Sequence, residues 1–314
     1  MRSAAIDVGT NSVQLCVGEL ESDGNVRILL DSTVNARLGK GFAETSELQS
    51  DAMDRGVEAI RECLDAARTL NVENTRVVGT SAVRESSNGG VFIDRVYREL
   101  GVRIEKLGSR DEGRLAYNAI ALDTKLGSFD GSQAILDIGG GSTELILGVG
   151  PKLTSITSLR IGATRLTDRY LKGNDVNICR LVDAAVATEW QMRRVVTHVE
   201  IDRMVGVGGS VVNLARVWKA VPVSQTDEVH GVNMSFCNVR QVLDLLYSKT
   251  SEERRQVIGL EPERVDSVLA GAIILERSMA ILEREEMIIS TRGLRHGVLY
   301  EMLGIKTQPQ RVGA

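Results

Sequence analysis

The amino-acid sequence predicts an α/β protein made of two tandem copies of one unit, with a cleft between them. Three observations carry that expectation. Short apolar runs alternate with stretches whose apolar residues recur every three or four positions, the periods of buried strands and amphipathic helices. A strand, a glycine turn and a second strand near the start recur 130 residues later. The 314 residues suffice for about two domains. With four prolines and no Pro/Ser-rich stretch between the copies, the chain reads as a hinged pair rather than beads on a string.

The first copy opens with strands at 4–8, 13–20 and 26–30. The second and third are joined by Ser-Asp-Gly-Asn at 22–25, a sequence with hairpin-turn chemistry. Met53, Val57, Ile60, Leu64 and Ala67 then mark a helix, with Ser50 or Asp51 as cap. A strand at 76–79, a helix at 91–100, a strand at 102–107 and a helix at 111–122 complete the β-β-β-α-β-α-β-α order. The second copy begins by superposing residues 135–148 on 5–18. Asp7/Asp137, Gly9/Gly139, Ser12/Ser142, Leu15/Leu145 and Gly18/Gly148 are identical. An extended segment at 153–159, a helix at 163–171, a strand at 204–207 and helices at 209–217 and 238–248 follow. A long helix is expected after Pro262, with Val265, Leu269, Ala272, Leu275, Met279 and Leu282 on one face. A strand at 287–290 and a helix over 294–306 end the pattern. The expected domains are 1–125 and 126–293, with the last helix packing back onto the first.

Composition removes several classes of function. The 31 glycines far outnumber the aromatic residues (four Phe, five Tyr, two Trp), which argues against stacking platforms for bases or sugars. The net charge of −4 argues against a nucleic-acid or anionic-membrane partner. Cys16, Cys63, Cys179 and Cys237 form no Cys-x-x-Cys pair, and His198, His230 and His296 have no metal-ligand spacing, so a zinc ribbon, a disulfide framework and a zinc hydrolase are all unsupported. Asp7 interrupts the only N-terminal apolar run, and the apolar stretch 268–275 is too short to span a bilayer. A soluble, cytoplasmic protein is expected.

The two hairpins carry the chemistry. Each sets an aspartate at a strand end, then a turn of small residues. Gly9, Gly139, Gly140 and Gly141 let the backbone approach an anion, and the turn N–H groups form a nest for phosphate oxygens. Thr10, Asn11, Ser12, Ser142 and Thr143 add short donors. Asp7 and Asp137 beside phosphate require a cation between them, and Mg²⁺ suits oxygen ligands. Neither a Walker motif nor a G-x-G-x-x-G fingerprint is present.

Asp7-Val-Gly-Thr-Asn-Ser12, Thr80-Ser-Ala-Val-Arg84, Asp111-Glu-Gly-Arg-Leu115 and Asp137-Ile-Gly-Gly-Gly-Ser-Thr-Glu144 together resemble the Ppx/GppA phosphatases. Stretches at 158–167, 207–210, 229–231 and 291–297 extend the resemblance over nearly the whole chain. It implies two actin-like (ribonuclease H-like) domains and hydrolysis of terminal phosphate from inorganic polyphosphate or guanosine pentaphosphate. It also implies Mg²⁺, with Mn²⁺ as the alternative, and a homodimer. Carried over by resemblance, Glu112 positions and deprotonates the attacking water, Asp137 and Glu144 bind metal with Asp7, and Arg84 and the glycine loops bind phosphate. A carboxylate base fits a hydrolase that lacks nucleophilic and zinc apparatus.

Other readings stand beside these. Glu112 at a helix start is also a dipole partner, and Glu144 has Arg160 as a possible ion-pair mate. His230 reads as a structural hydrogen-bonding residue. Arg165 and Arg169 mark either an anion groove or a solvated helix face. Arg110 departs from the acids common before this stretch in the family and is expected to alter the field at Glu112. Gln14 stands where the pentaphosphate-cleaving branch tends to carry arginine, which favours polyphosphate. Alternatives are a kinase of the same superfamily, with 206–210 approaching an adenosine, and a non-catalytic nucleotide or polyphosphate sensor.

Overall fold

The computed structural model describes residues 1–173, 176–196 and 200–305. The chain forms two compact units. One comprises Met1–Leu122 and the C-terminal segment from Gly293, the other Asp123–Arg292. The chain thus passes between units after Leu122, rather than at 125/126, and again after Arg292.

In the first unit, strands β1 (Arg2–Val8), β2 (Val13–Leu20) and β3 (Val26–Val34) form an antiparallel meander. The single turn α1 (Phe42–Thr45) and the long α2 (Ser50–Thr69) follow. Then come β4 (Asn74–Gly79), α3 (Ser81–Glu85), α4 (Gly89–Leu100), β5 (Ile104–Lys106) and α5 (Ser109–Ala121). The sheet order is β3-β2-β1-β4-β5, with β4 and β5 parallel to β1. The period-2 alternation of β1 splits its side chains between two cores. Ala4, Ile6 and Val8 pack with Val57, Ile60 and Leu64 of α2, while Ala5 packs with Leu115 of α5. Asp7 continues the Ala5 face at the strand's end. The residue before α2 is Gln49, whose side chain makes no capping bond, so neither Ser50 nor Asp51 is the cap; Asp51 instead pairs with Arg55 at 2.7 Å. The short α1 and α3 lie outside the expected order because a single turn has no periodicity to read.

The second unit repeats this plan. Strands β6 (Ser132–Ile138), β7 (Thr143–Val149) and β8 (Lys152–Leu159) form its meander. The helix expected at 163–171 is the single turn α6 (Ala163–Leu166) followed by a π turn at Thr167–Leu171. Helix α7 (Ile178–Arg193) comes next and has no counterpart in the sequence expectation. It is followed by β9 (Arg203–Val207), α8 (Gly209–Lys219), β10 (Asn233–Ser235), α9 (Phe236–Tyr247) and α10 (Ser251–Arg254). The helix expected after Pro262 is a 3-10 turn at Pro262–Arg264 and then α11 (Val268–Ile281), so Val265 sits in the link between them. Strand β11 (Glu286–Ile289) completes the sheet, ordered β10-β11-β9-β6-β7-β8. The repeat holds in detail. Register shifts fall between Val17 and Gly18 and between Leu147 and Gly148, the same place in each copy.

Helix α12 (Leu294–Met302) returns to the first unit; position 306, its expected end, lies outside the described residues. Val298 and Leu299 are fully buried with Ala5, Cys16 and Leu115. Gly297 allows this, since a Cβ there would overlap the Leu115 carbonyl. No described helix is long and apolar enough to cross a membrane. Replacing Gly297 by Ala is expected to destabilise the protein by about 1–3 kcal/mol through overpacking. Gly90→Ala, at a helical site with nothing within 4 Å, is the control expected to cost nothing. Urea unfolding of both variants checks the contrast.

Candidate active site

The two hairpin turns are held by the same backbone bond. Gly9 N–H donates to Ser12 O at 3.0 Å, and Gly139 N–H donates to Ser142 O at 3.0 Å. The carbonyls of each turn are then pinned from outside. Thr10 O accepts from Gly39 N–H and Asn11 O from Arg37 N–H. In the second unit Gly139 O accepts from Ala163 N–H, and Gly140 O from the N–H groups of Thr164 and Arg165, while Arg165 Nε donates to Gly141 O at 2.8 Å. A trans peptide points its N–H opposite its C=O. The N–H groups of residues 11, 12, 140, 141 and 142 therefore face away from those anchors, as an anion nest requires. Gly162 makes the second clamp possible, because a Cβ there would lie 2.5–2.6 Å from the backbone of Gly140 and Gly141.

Side chains around these turns divide by environment. Thr10 Oγ1 shares a 3.0 Å hydrogen bond with Ser81 Oγ at the start of α3. Ser12 and Ser142 are buried, Asn11 is half-buried, and Thr143 is fully buried at the head of β7. Asp7 faces Gln14 across β1 and β2, and Asp137 faces Glu144 across β6 and β7. Directly opposed residues share one face of a sheet, so each unit presents a two-residue polar pair beside its turn. Glu144 is buried and accepts from Ser158 Oγ at 2.7 Å, a partner hidden from sequence reasoning. The Asp137 carboxylate occupies space that Gly208 leaves open, since a Cβ on Gly208 would lie 2.7 Å from Asp137 Oδ1.

These residues suit a hard cation. Mg²⁺ keeps several waters and takes one or two carboxylates plus substrate phosphate oxygens. Asp137 and Glu144, paired in register on one sheet face beside the turn, supply two carboxylates suited to that mode. Among the described residues no group of three or more acids, histidines or cysteines forms an all-protein cage. Asp7 belongs to the other unit and opposes an amide rather than a second acid.

Glu112 and Arg84 meet in the first unit, 28 residues apart in sequence. Arg84, at the end of α3, donates through Nη1 to Glu112 Oε2 at 2.7 Å and to Leu107 O at 3.0 Å. Glu112 stands in the first turn of α5, only 8% exposed. Burial pushes its carboxyl above the usual range; the Arg84 charge and hydrogen bond oppose this, and Glu85 reinforces it. The neighbours that set the field at Glu112 are thus Arg84 and Glu85, whereas Arg110 is exposed and not among them. Arg84 accordingly serves Glu112 directly as well as being a candidate phosphate ligand.

Two further clusters were hidden from sequence reasoning. In the first unit Arg295 of α12 donates to both oxygens of Asp31, at 2.7 and 2.9 Å, and to Gln14 Oε1 at 3.0 Å; His296 Nε2 lies 3.2 Å from Asp31. Burial works to raise the Asp31 carboxyl, but Arg295 and His296 together hold it well below the carboxylate range. In the second unit His230 Nδ1 accepts from Thr291 N–H, and Nε2 lies 3.1 Å from the fully buried Asp123. His230 thus joins the residues on which the chain enters and leaves this unit. That is the structural role its sequence context suggests. His198 lies outside the described residues. The only sequence signal for these clusters was the position of Arg295 and His230 inside family-like stretches.

The fold and these turns define a class: an α/β protein of two actin-like units, each built on a glycine hairpin. Residues 19–306 match the model of the Ppx/GppA phosphatase family, and the chain belongs to that family. It is 29% identical over 303 residues, 96% of its length, to a Vibrio atlanticus protein named guanosine-5'-triphosphate,3'-diphosphate pyrophosphatase. The chain spans 59% of that relative. Among solved structures, an Aquifex aeolicus Ppx/GppA family member is 31% identical with a TM-score of 0.80, covering 97% of this chain and 98% of that one. An exopolyphosphatase from Cytophaga hutchinsonii is 25% identical with a TM-score of 0.88, covering 98% and 100%.

Asp31 supplies a pH test of this site. A carboxyl depressed by folding stabilises the protein above its unfolded pKa of about 3.9, and that contribution is lost as pH falls toward the folded value. Because Asp31 is an exposed position and solvent screens the pair, Asp31→Asn should cost about 1 kcal/mol at pH 7. The gap from wild type should narrow as pH drops below about 3.9. Denaturant titrations across pH measure it, and a pH-independent gap contradicts the assignment.

Proposed function

We propose that the protein hydrolyses a terminal phosphoanhydride bond, releasing orthophosphate, with guanosine pentaphosphate as the substrate. The observation that carries the reaction type is Glu112, a buried carboxylate raised by its surroundings and oriented by Arg84, in a chain of a phosphatase family. The nucleotide reading is supported by the names of relatives matched over 96% of the chain. It is the alternative to the polyphosphate reading that the sequence favours. Gln14 is the observation that keeps polyphosphate as a second reading, together with the likeness to the Cytophaga enzyme.

In this reaction Glu112 takes a proton from water as its oxygen attacks the terminal phosphorus. The bond from phosphorus to the bridging oxygen breaks, and the shortened phosphate chain leaves. A base whose pKa is lifted toward the working pH both accepts the proton and remains ionised enough to act. In each unit the nest N–H groups, those of residues 11 and 12 in the first and of 140–142 in the second, are suited to phosphate oxygens, which carry the negative charge throughout phosphoryl transfer. Asp137 and Glu144 would hold Mg²⁺, which when bound supplies charge neutralisation at the phosphates. Arg84 holds the Glu112 carboxylate in one orientation, and its planar fork retains further donors for phosphate.

Glu112→Gln should lower kcat by about 10²–10⁴-fold with little change in KM. The acid limb of the wild-type kcat/KM profile should lie above the ordinary Glu value of about 4.3 and vanish in the variant. Phosphate-release assays on guanosine pentaphosphate and on inorganic polyphosphate, run in parallel, check both statements. Near-wild-type turnover by Glu112→Gln would remove the assignment, and turnover confined to polyphosphate would replace the nucleotide reading by the second.

A further inference from the structure

Helix α7 exposes a stripe that the candidate active site does not use. Ile178, Val182, Val186 and Trp190 follow one another at intervals of four and are 59%, 51%, 59% and 56% exposed. At 1.5 Å per residue the stripe is about 18 Å long. The opposite side of the helix fixes this orientation, for Ala184, Thr188 and Met192 are buried in the core of the second unit. An apolar row of this length on a face turned to solvent is the usual mark of a surface that binds something.

The stripe runs into a groove of about 430 Å³. Val186 and Trp190 form one wall, and Ile161, Leu166 and Tyr170 line the other side. Arg160, Arg165 and Arg169 project into the same groove, against one lining carboxylate, Asp183. The Arg194 guanidinium adds a further cation, 4.5 Å from the centre of the Trp190 ring. A cationic rim on an apolar floor reverses the sign of a chain whose net charge is −4.

We propose that this groove docks an amphipathic helix of a partner protein, with an apolar ridge flanked by acidic residues. The four-residue spacing supplies the ridge that packs into the grooves of a second helix. The length of the row exceeds what a small anion fills, and Ile178 and Val182 lie beyond the groove itself. The arginines select acidic flanks and reject basic ones, which is where charge contributes most to recognition. Arg165 also donates to Gly141 O, so an occupant of the groove touches a residue that pins the second glycine turn.

The test uses the full chain carrying Trp218→Phe, which leaves Trp190 as the reporter of two tryptophans. The probe is a synthetic helical peptide with leucines on one face and glutamates beside them; its control carries lysines in place of the glutamates. The acidic peptide is expected to shift Trp190 emission and to bind about tenfold or more tightly than the lysine peptide. Arg169→Glu and Val186→Glu, both at exposed positions, are each expected to weaken it by about tenfold. Leu245→Glu, an exposed site on α9, should leave it unchanged, and circular dichroism verifies that each variant is folded. Equal binding of both peptides, or no binding of the acidic one at millimolar concentration, overturns the proposal. So does sedimentation showing a dimer of this chain that Val182→Glu dissociates, since the stripe would then be covered by a second copy.

Discussion

The close approach of backbone to backbone at the two glycine turns is the constraint on which the rest depends. At 139–141 three successive carbonyls are drawn outward by residues 163–165, and peptide planarity then turns the following N–H groups the other way. Only glycine at 162 lets the clamp close. The first unit reaches the same result through residues 37 and 39, and a Cβ on Gly39 would overlap the Thr10 side chain. The strands on either side inherit their register from these turns. That register opposes Asp7 to Gln14 and Asp137 to Glu144.

Acids in this protein acquire different characters from their partners rather than from depth alone. Asp31, on an exposed strand position, receives two hydrogen bonds from Arg295 and contact from His296, which hold its carboxyl low against partial desolvation. Asp123 is held low by His230 and Arg292 against the same penalty. Glu112 has a hydrogen bond from Arg84 Nη1, which also donates to Leu107 O, while Arg84 Nη2 approaches Glu85. Burial therefore prevails there, and the carboxyl is lifted. A fixed anion stabilises structure, and a lifted one is suited to moving protons.

The two copies have diverged within one geometry. Where the second unit pairs a carboxylate with a serine, Glu144 with Ser158, the first pairs an amide with an arginine, Gln14 with Arg295. The turns and the strand register beside them are shared between the copies, whereas the second sheet carries the additional strand β10; at these opposed positions the change falls on side chains. One hairpin retains a pair of acids suited to a cation; the other has an acid, an amide and the half-buried Arg295 guanidinium on that amide.

Sequence by itself determined what is local: both hairpins, the 130-residue repeat, most strands and the longer amphipathic helices. Those follow from the chemistry of a few neighbouring residues and from a period. Helix α7 escaped because apolar residues occupy its exposed stripe as well as its buried side, so no single face stands out. The apolar period of α11 extends back to Val265 because Val265, in the link, is buried like the helix proper. Glu112 was legible from a family-like motif, but the Arg84 beside it, the Arg295–Asp31 pair formed across 264 residues and the His230–Asp123 contact were decided by tertiary structure alone. The physical reason is that a charge takes its pKa and its partners from whatever folding brings within hydrogen-bond reach, and separation along the chain carries no record of that.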